Sequence, residues 1–329
     1  MHIAQTQLVK QPPLAVSNTP SGEASFQTAH VTNFDLSKKG QNGVNITLPQ
    51  VGLTYCVFAD GEFDPRKRTV VLQSAISGSP RAVVQSKKAQ QTEGWFTSNI
   101  GAGEAGRLID LKKFNVICFD YLGGNGTPEL PNRGPGSALS LGNLCERITM
   151  QDSVNLQATI LKRNFGLDCV SVVGGSFGGV CARKFLEQDI IQVDRVLDIS
   201  SPGVHSSRAK NFFSTMRDVL ERRVVGRAVT DDIDKLFGNL PGADLRGYRV
   251  AMGHVQRLFT KLDIQSASDH ELMQAVRPFS FLGYIHPNGI HQRFEEHRDK
   301  SVTKSQSLRH WLNYHAETYA NSVCPRATA

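Results

Sequence analysis

Hydrophobic positions change rhythm along the chain. Val44-Asn45-Ile46-Thr47-Leu48 alternates apolar and polar residues like a strand with one buried face, and Gly52-Leu53-Thr54-Tyr55-Cys56-Val57-Phe58 is placed to be its hairpin partner. Thr69–Gln73, Phe114–Phe119 and Cys169–Val173 differ: they are short, nearly continuous apolar runs rich in β-branched residues. Such runs are expected of parallel strands buried on both faces. Arg195–Ile199 reads as a fourth. Asp152 to Phe165 carries apolar residues at Val154, Leu156, Ala158, Ile160 and Leu161, which predicts a helix. Strands alternating with helices over these distances imply βαβ units and a parallel sheet.

The two ends have another texture. Pro12-Pro13 and Ser17-Asn18-Thr19-Pro20-Ser21-Gly22 are loop chemistry, so residues 1–32 are expected to form a flexible arm. Beyond about Phe212 the chain is polar and helical, with Val219-Leu220, Ile233, Leu236-Phe237, Val255, Leu258-Phe259 and Trp311-Leu312 as its apolar positions. The expected organisation is an α/β core over residues 33–210 and a helical cap or lid over 211–329.

Candidate chemistry lies where the third buried run ends. Val170-Ser171-Val172-Val173 leads into Gly174-Gly175-Ser176-Phe177-Gly178-Gly179, and Val180 to Leu186 can continue as a helix. This is Gly-x-Ser-x-Gly between a strand and a helix, the setting in which a serine projects from a tight turn as a nucleophile. Glycines two before and two after the serine let strand and helix approach closely. The helix start aims backbone N–H groups at the place where negative charge develops in acyl transfer. Ser176 is therefore the candidate nucleophile and the Phe177 N–H a candidate oxyanion donor. A glycine-rich turn can also simply join strand to helix or hold a phosphate, but no Gly-Lys-[Ser/Thr] follows, which excludes a P-loop. Ala75-Ile76-Ser77-Gly78, at the exit of an earlier strand, supplies small residues for the second donor, the Ile76 N–H.

Composition narrows the partners. Of 329 residues, 40% are hydrophobic and 20% charged, which supports a sizeable core. The net charge of +7 is dispersed and has no aromatic interleaving, so no nucleic-acid partner is expected. Six cysteines at 56, 118, 145, 169, 181 and 324 form no CxxC pair and no zinc-spaced cluster with histidine, so neither a disulfide framework nor a metal is expected. No apolar run approaches the ~18 residues of a membrane span, and the amino terminus lacks a signal-type apolar region. The expectation is a cytoplasmic protein without a membrane partner.

Taken in order, Gly94-Trp95-Phe96, Ile100-Gly101-Ala102-Gly103, Leu108-Ile109-Asp110, Phe114–Ile117, Leu122-Gly123-Gly124, Ile148–Val154 and Gly174–Gly179 closely resemble the homoserine O-acetyltransferase family. Phe34-Asp35-Leu36 through Tyr55 is similar to its amino-terminal strands, and Ala75–Gly78 to its oxyanion loop. The resemblance covers roughly residues 33–205 and weakens toward about Tyr319. It implies an α/β-hydrolase fold, a mostly parallel sheet with a helical cap, and ping-pong acyl transfer of the kind found in amino-acid biosynthesis. Ser176 would attack an acyl-CoA thioester, with Ile76 and Phe177 amides holding the oxyanion, and a small hydroxyl-bearing acceptor would then take the acyl group. Acyl-CoA enters as co-substrate and no permanently bound cofactor is implied; a homodimer is compatible with this reading.

The family places an Asp and then a His after the cap, the His in Gly-His-Asp. Here Ser307 to Ala320 is followed within ten residues by the last residue given, so the final strands and the Asp–His relay are expected to be missing. Histidines 254, 270, 286, 291, 297, 310 and 315 all fall in the presumed cap, and Asp269-His270 reads as a helix start capped by Ser268. The family's acceptor-gripping Arg after Gly-Leu-x-x-Ala has no counterpart in Gly247-Tyr248-Arg249-Val250-Ala251-Met252, which leaves Arg249 or Arg257 as substitutes. Two other readings stay open: an esterase of the same fold, and a non-catalytic relative that keeps the elbow.

Overall fold

The computed structural model describes residues 26–38, 43–75, 80, 96, 99–103, 107–122, 147–201, 207–224, 229, 246–284, 312–313 and 316–317. The chain divides into two compact units, Met1–Leu122 with Thr149–Ser201, and Gly123–Ile148 with Pro202–Ala329.

The first unit is built on a six-stranded sheet. Its strands are β1 (Phe26–Asp35), β2 (Thr47–Phe58), β3 (Arg68–Gln73), β6 (Phe114–Phe119), β7 (Cys169–Gly175) and β8 (Gln192–Ile199), in the order β1-β2-β6-β3-β7-β8. The two-residue strands β4 (Ile100–Gly101) and β5 (Ile109–Asp110) pair separately. β1 with β2 and β2 with β6 are antiparallel; β6 with β3, β3 with β7 and β7 with β8 are parallel. Three of the four buried runs are therefore where the sequence placed them, and Val70, Val71, Leu72, Ile117, Phe119 and Val172 are almost inaccessible. Arg195–Ile199 is a strand as expected but not a buried one, because β8 is paired only with β7 among the described residues and none of its residues is buried.

The amino-terminal expectations need correction. β1 starts at Phe26, inside the stretch 1–32 read as an arm, and buries Ala29 and Val31 in alternation and, past the irregularity at Asn33, Phe34. The hairpin over 44–48 and 52–58 does not form. Thr47–Phe58 is one strand: residues 49–51, which the hairpin left between its two strands, continue it, and Gly52 lies opposite His30. Its ladder with β1 passes over Pro49, which has no N–H to give, and over Asn33, whose φ of 52° takes up the irregularity.

Helix α1 (Met150–Phe165) covers one sheet face. Thr149 and Asp152 form a reciprocal capping box at its start, and Gly166 ends it at φ 65°. Phe165 packs edge-on against Tyr55, with ring centroids 5.4 Å apart. Gln157 accepts from Gln73 Nε2 at 2.6 Å and donates to the Asp120 carbonyl at 3.2 Å, tying the helix to the carboxyl ends of β3 and β6. On the other face Cys56, Phe58, Leu72, Phe96, Leu111, Cys118 and Val173 form one cluster. Each large apolar side chain buried there contributes about 1.5–3 kcal/mol.

The second unit is helical among its described residues: α3 (Ser207–Leu220), α4 (Arg246–Lys261) and α5 (Asp269–Tyr284). Phe212, Met216, Val255, Phe259, Leu272, Val276 and Phe279 make its core. Ser268 caps α5 as its sequence suggested, since Glu271 N–H donates to Ser268 Oγ at 3.3 Å and Ser268 N–H to Glu271 Oε2 at 2.8 Å. No helix among the described residues is long and apolar enough to cross a membrane.

Candidate active site

Ser176 stands between β7 and helix α2 (Phe177–Lys184), at the carboxyl end of the sheet. Its backbone is at φ 54° and ψ −122°, a conformation that L-residues other than glycine rarely adopt. Such strain persists only where the surroundings fix it, and here they do. Ser176 N–H donates to the Ile199 carbonyl at 2.9 Å, and its own carbonyl accepts from Gly179 and Val180 N–H at 3.1 and 3.3 Å. The side chain is exposed, and its hydroxyl makes no hydrogen bond to a described residue.

The glycines of the motif have a steric reason. A Cβ on Gly174 would lie within 3.0 Å of the Gly178 backbone, and one on Gly178 within 3.0 Å of the Gln73 and Ser74 carbonyls. Strand, helix and the end of β3 thus meet backbone to backbone. A Cβ on Gly179 would strike Asp198 and Ser201. Those two residues form a cluster behind the helix start: Arg183 pairs with Asp198, Ser201 Oγ donates to Asp198, and Arg183 Nη1 donates to Ser201 Oγ at 2.6 Å.

Phe177 is the first residue of α2, where N–H groups lack an intrahelical acceptor, so the predicted oxyanion donor sits at a helix start. Its ring lies edge-on to Tyr121 at 5.1 Å, and Tyr121 donates its hydroxyl to the Ser74 carbonyl, one residue before Ala75. One tyrosine therefore braces both Phe177 and the exit of β3. Ile76, the other predicted donor, lies outside the described residues. Burial pushes the Tyr121 hydroxyl well above its usual value and the Cys181 thiol up to about 12. Cys181, one turn into α2, is thereby kept as an unreactive thiol at neutral pH, and does not compete with Ser176.

No His–Asp relay reaches Ser176 among the described residues of its unit. The histidine described there is His30 on β1, with β2, β6 and β3 between it and β7. In the second unit His254 is engaged by Asn313 at 3.1 Å, and His270 is an exposed residue of the first turn of α5. Histidines 286, 291, 297, 310 and 315 lie outside the described residues. Arg257 is exposed on α4, and the Arg249 side chain lies outside the description. No group of three or more His, Cys, Asp or Glu able to hold a metal ion occurs among the described residues. Sequence reasoning missed Tyr121, Arg183, Asp198 and Ser201, because nothing local marks residues that meet the elbow only through the sheet.

A mostly parallel sheet with a strained serine at the junction of a central strand and its following helix is the α/β-hydrolase fold. Solved structures agree. Esterase E22 superposes with a TM-score of 0.60 at 17% identity, covering 92% of this chain and 76% of that one. The homoserine O-acetyltransferase from Staphylococcus aureus gives 0.56 at 16% identity, covering 93% and 70%. In sequence, the chain is 34% identical over 214 residues to the homoserine O-acetyltransferase of Methanohalophilus mahii, covering 64% of this chain and 42% of that protein. It is 30% identical over 210 residues to the homoserine O-succinyltransferase of Stutzerimonas stutzeri, covering 63% and 53%. No family model matches the chain. The chain is thus a relative of homoserine O-acyltransferases with an α/β-hydrolase fold, and spans about half the length of the curated relatives it matches.

Proposed function

We propose that this chain carries the acyl-accepting half of an O-acyltransferase site, with Ser176 as nucleophile. The supporting observation is the strained Ser176 backbone, held where β7 meets α2 by glycines at 174 and 178 that leave no room for a Cβ. In the first half-reaction Ser176 Oγ attacks the carbonyl carbon of an acyl-CoA thioester. The C–S bond breaks, the proton leaves with the sulfur, and the developing oxyanion is held by the Phe177 N–H with the Ile76 N–H as second donor. In the second half-reaction the hydroxyl of a small acceptor takes the acyl group and the proton returns to Ser176 Oγ. General-base assistance typically contributes ~10²–10⁴-fold, so the described residues alone predict slow turnover.

The test is to supply acyl-CoA with a labelled acyl group, with and without hydroxyl acceptors such as homoserine and serine. Label on Ser176 that moves to an acceptor supports transfer, and Ser176→Ala should abolish it. Release only as free acid, at a rate indifferent to acceptors, identifies an esterase instead. No label on Ser176 at all rejects both readings and leaves the non-catalytic one.

A further inference from the structure

A second strained serine stands beside the first. Ser200 follows the last residue of β8, has φ 54°, is exposed, and has no hydrogen bond to a described residue through its hydroxyl. Gly175 and Ile199 are register partners on the parallel strands β7 and β8, and Ser176 N–H bonds to the Ile199 carbonyl. The two serines therefore leave neighbouring strands side by side, and strands in a sheet are about 4.8 Å apart. The turn at Ser200 is held on both flanks: Ile199 by Ser176 N–H, and Ser201 by Asp198 and Arg183. A non-glycine residue in the left-handed region that its neighbours over-determine in this way points to a use for its side chain.

The sheet order says on which side that use lies. β3 and β8 flank β7 on opposite sides, and the residues read as the oxyanion loop follow β3. Ser200 is thus across Ser176 from the carboxyl end of β3, and a second substrate that approaches the acyl carbon from the side opposite the residues read as the oxyanion loop meets it. We propose that the Ser200 hydroxyl binds the hydroxyl-bearing acceptor by a hydrogen bond in the second half-reaction. There the acceptor oxygen forms a bond to the acyl carbon, the bond to Ser176 Oγ breaks, and the acceptor proton ends on Ser176 Oγ. This assignment rests on the acyl-enzyme reading and adds a residue that holds the acceptor beside the acyl carbon.

Transfer and hydrolysis share one acyl-enzyme, so their ratio isolates the acceptor step. With the full chain, labelled acyl-CoA and a fixed concentration of a small alcohol, Ser200→Ala and Ser200→Gly are both expected to lower the transfer-to-hydrolysis ratio about three- to tenfold, the worth of one neutral hydrogen bond. Ser200→Gly relieves the backbone and so guards against a folding artefact. A purely structural Ser200 would leave the ratio unchanged in both variants, and that result overturns the assignment while the labelled Ser176 still stands. Absence of label on Ser176 in the unsubstituted protein overturns the acyl-enzyme reading and this assignment with it.

Discussion

Replacing Ser176 by glycine should make the protein more stable as it makes it inactive. At φ 54° and ψ −122° the serine occupies a region that costs an L-residue about 1–3 kcal/mol. Glycine removes that cost but gives the unfolded chain more freedom, which takes back about 0.4–1 kcal/mol. The exposed hydroxyl has no hydrogen bond to a described residue to lose. The expected net gain is about 1 kcal/mol, a rise of roughly 1–2 °C in Tm for a chain of this size. Ser176→Ala also removes the nucleophile but keeps the Cβ and the strain, so it should unfold within about 0.5 kcal/mol of the original protein. Urea unfolding, with amide-exchange protection of Val172 and Val173 as a local reporter on β7, measures both variants, and labelling with a fluorophosphonate reports the loss of the nucleophile. If Ser176→Gly proves no more stable than Ser176→Ala, the strain at the elbow is not a reservoir that folding maintains for chemistry.

Gly178→Ala should destabilise by about 1–3 kcal/mol in denaturant unfolding despite alanine's better helix propensity, because the new Cβ meets the carbonyls of Gln73 and Ser74 rather than a side chain that can yield. Gly253→Ala in α4 should do the opposite, gaining about 0.5–1 kcal/mol, since its nearest neighbour is the Arg257 guanidinium at 3.6 Å. Thr149→Ala removes the acceptor of the Asp152 N–H at 3.2 Å and should cost about 1 kcal/mol, visible as faster exchange in the first turn of α1. Hydrogen bonds from the Ser268 hydroxyl and backbone hold Glu271 below its usual 4.5, so the α5 cap is complete above that pH and is lost as pH falls through the lower folded-state value. Glu271→Gln should accordingly flatten the acid-side loss of helicity in α5, followed by circular dichroism below pH 4.5.

The sequence by itself determined the parts whose signal is local. Continuous β-branched runs at Thr69–Gln73, Phe114–Phe119 and Cys169–Val173 are strands because a segment buried on both faces needs no alternation, and all three are central in the sheet. Gly174, Ser176 and Gly178 announced the elbow because a backbone-to-backbone crossing admits few residue types. Tertiary structure decided what depends on distant partners. Residues 44–48 and 52–58 read as two strands of a hairpin, yet the ladder offered by Phe26–Asp35 joins Thr47–Phe58 into one strand, since an unpaired backbone group inside the sheet costs more than the weak strand propensity of Pro49 and Gly52. Tyr121, Asp198, Ser200 and Ser201 carry no motif. They come to the elbow from β6 and β8 only because parallel strands bring their carboxyl ends to one edge, so the bracing of Phe177 and the second strained serine exist only once β6, β3, β7 and β8 have aligned.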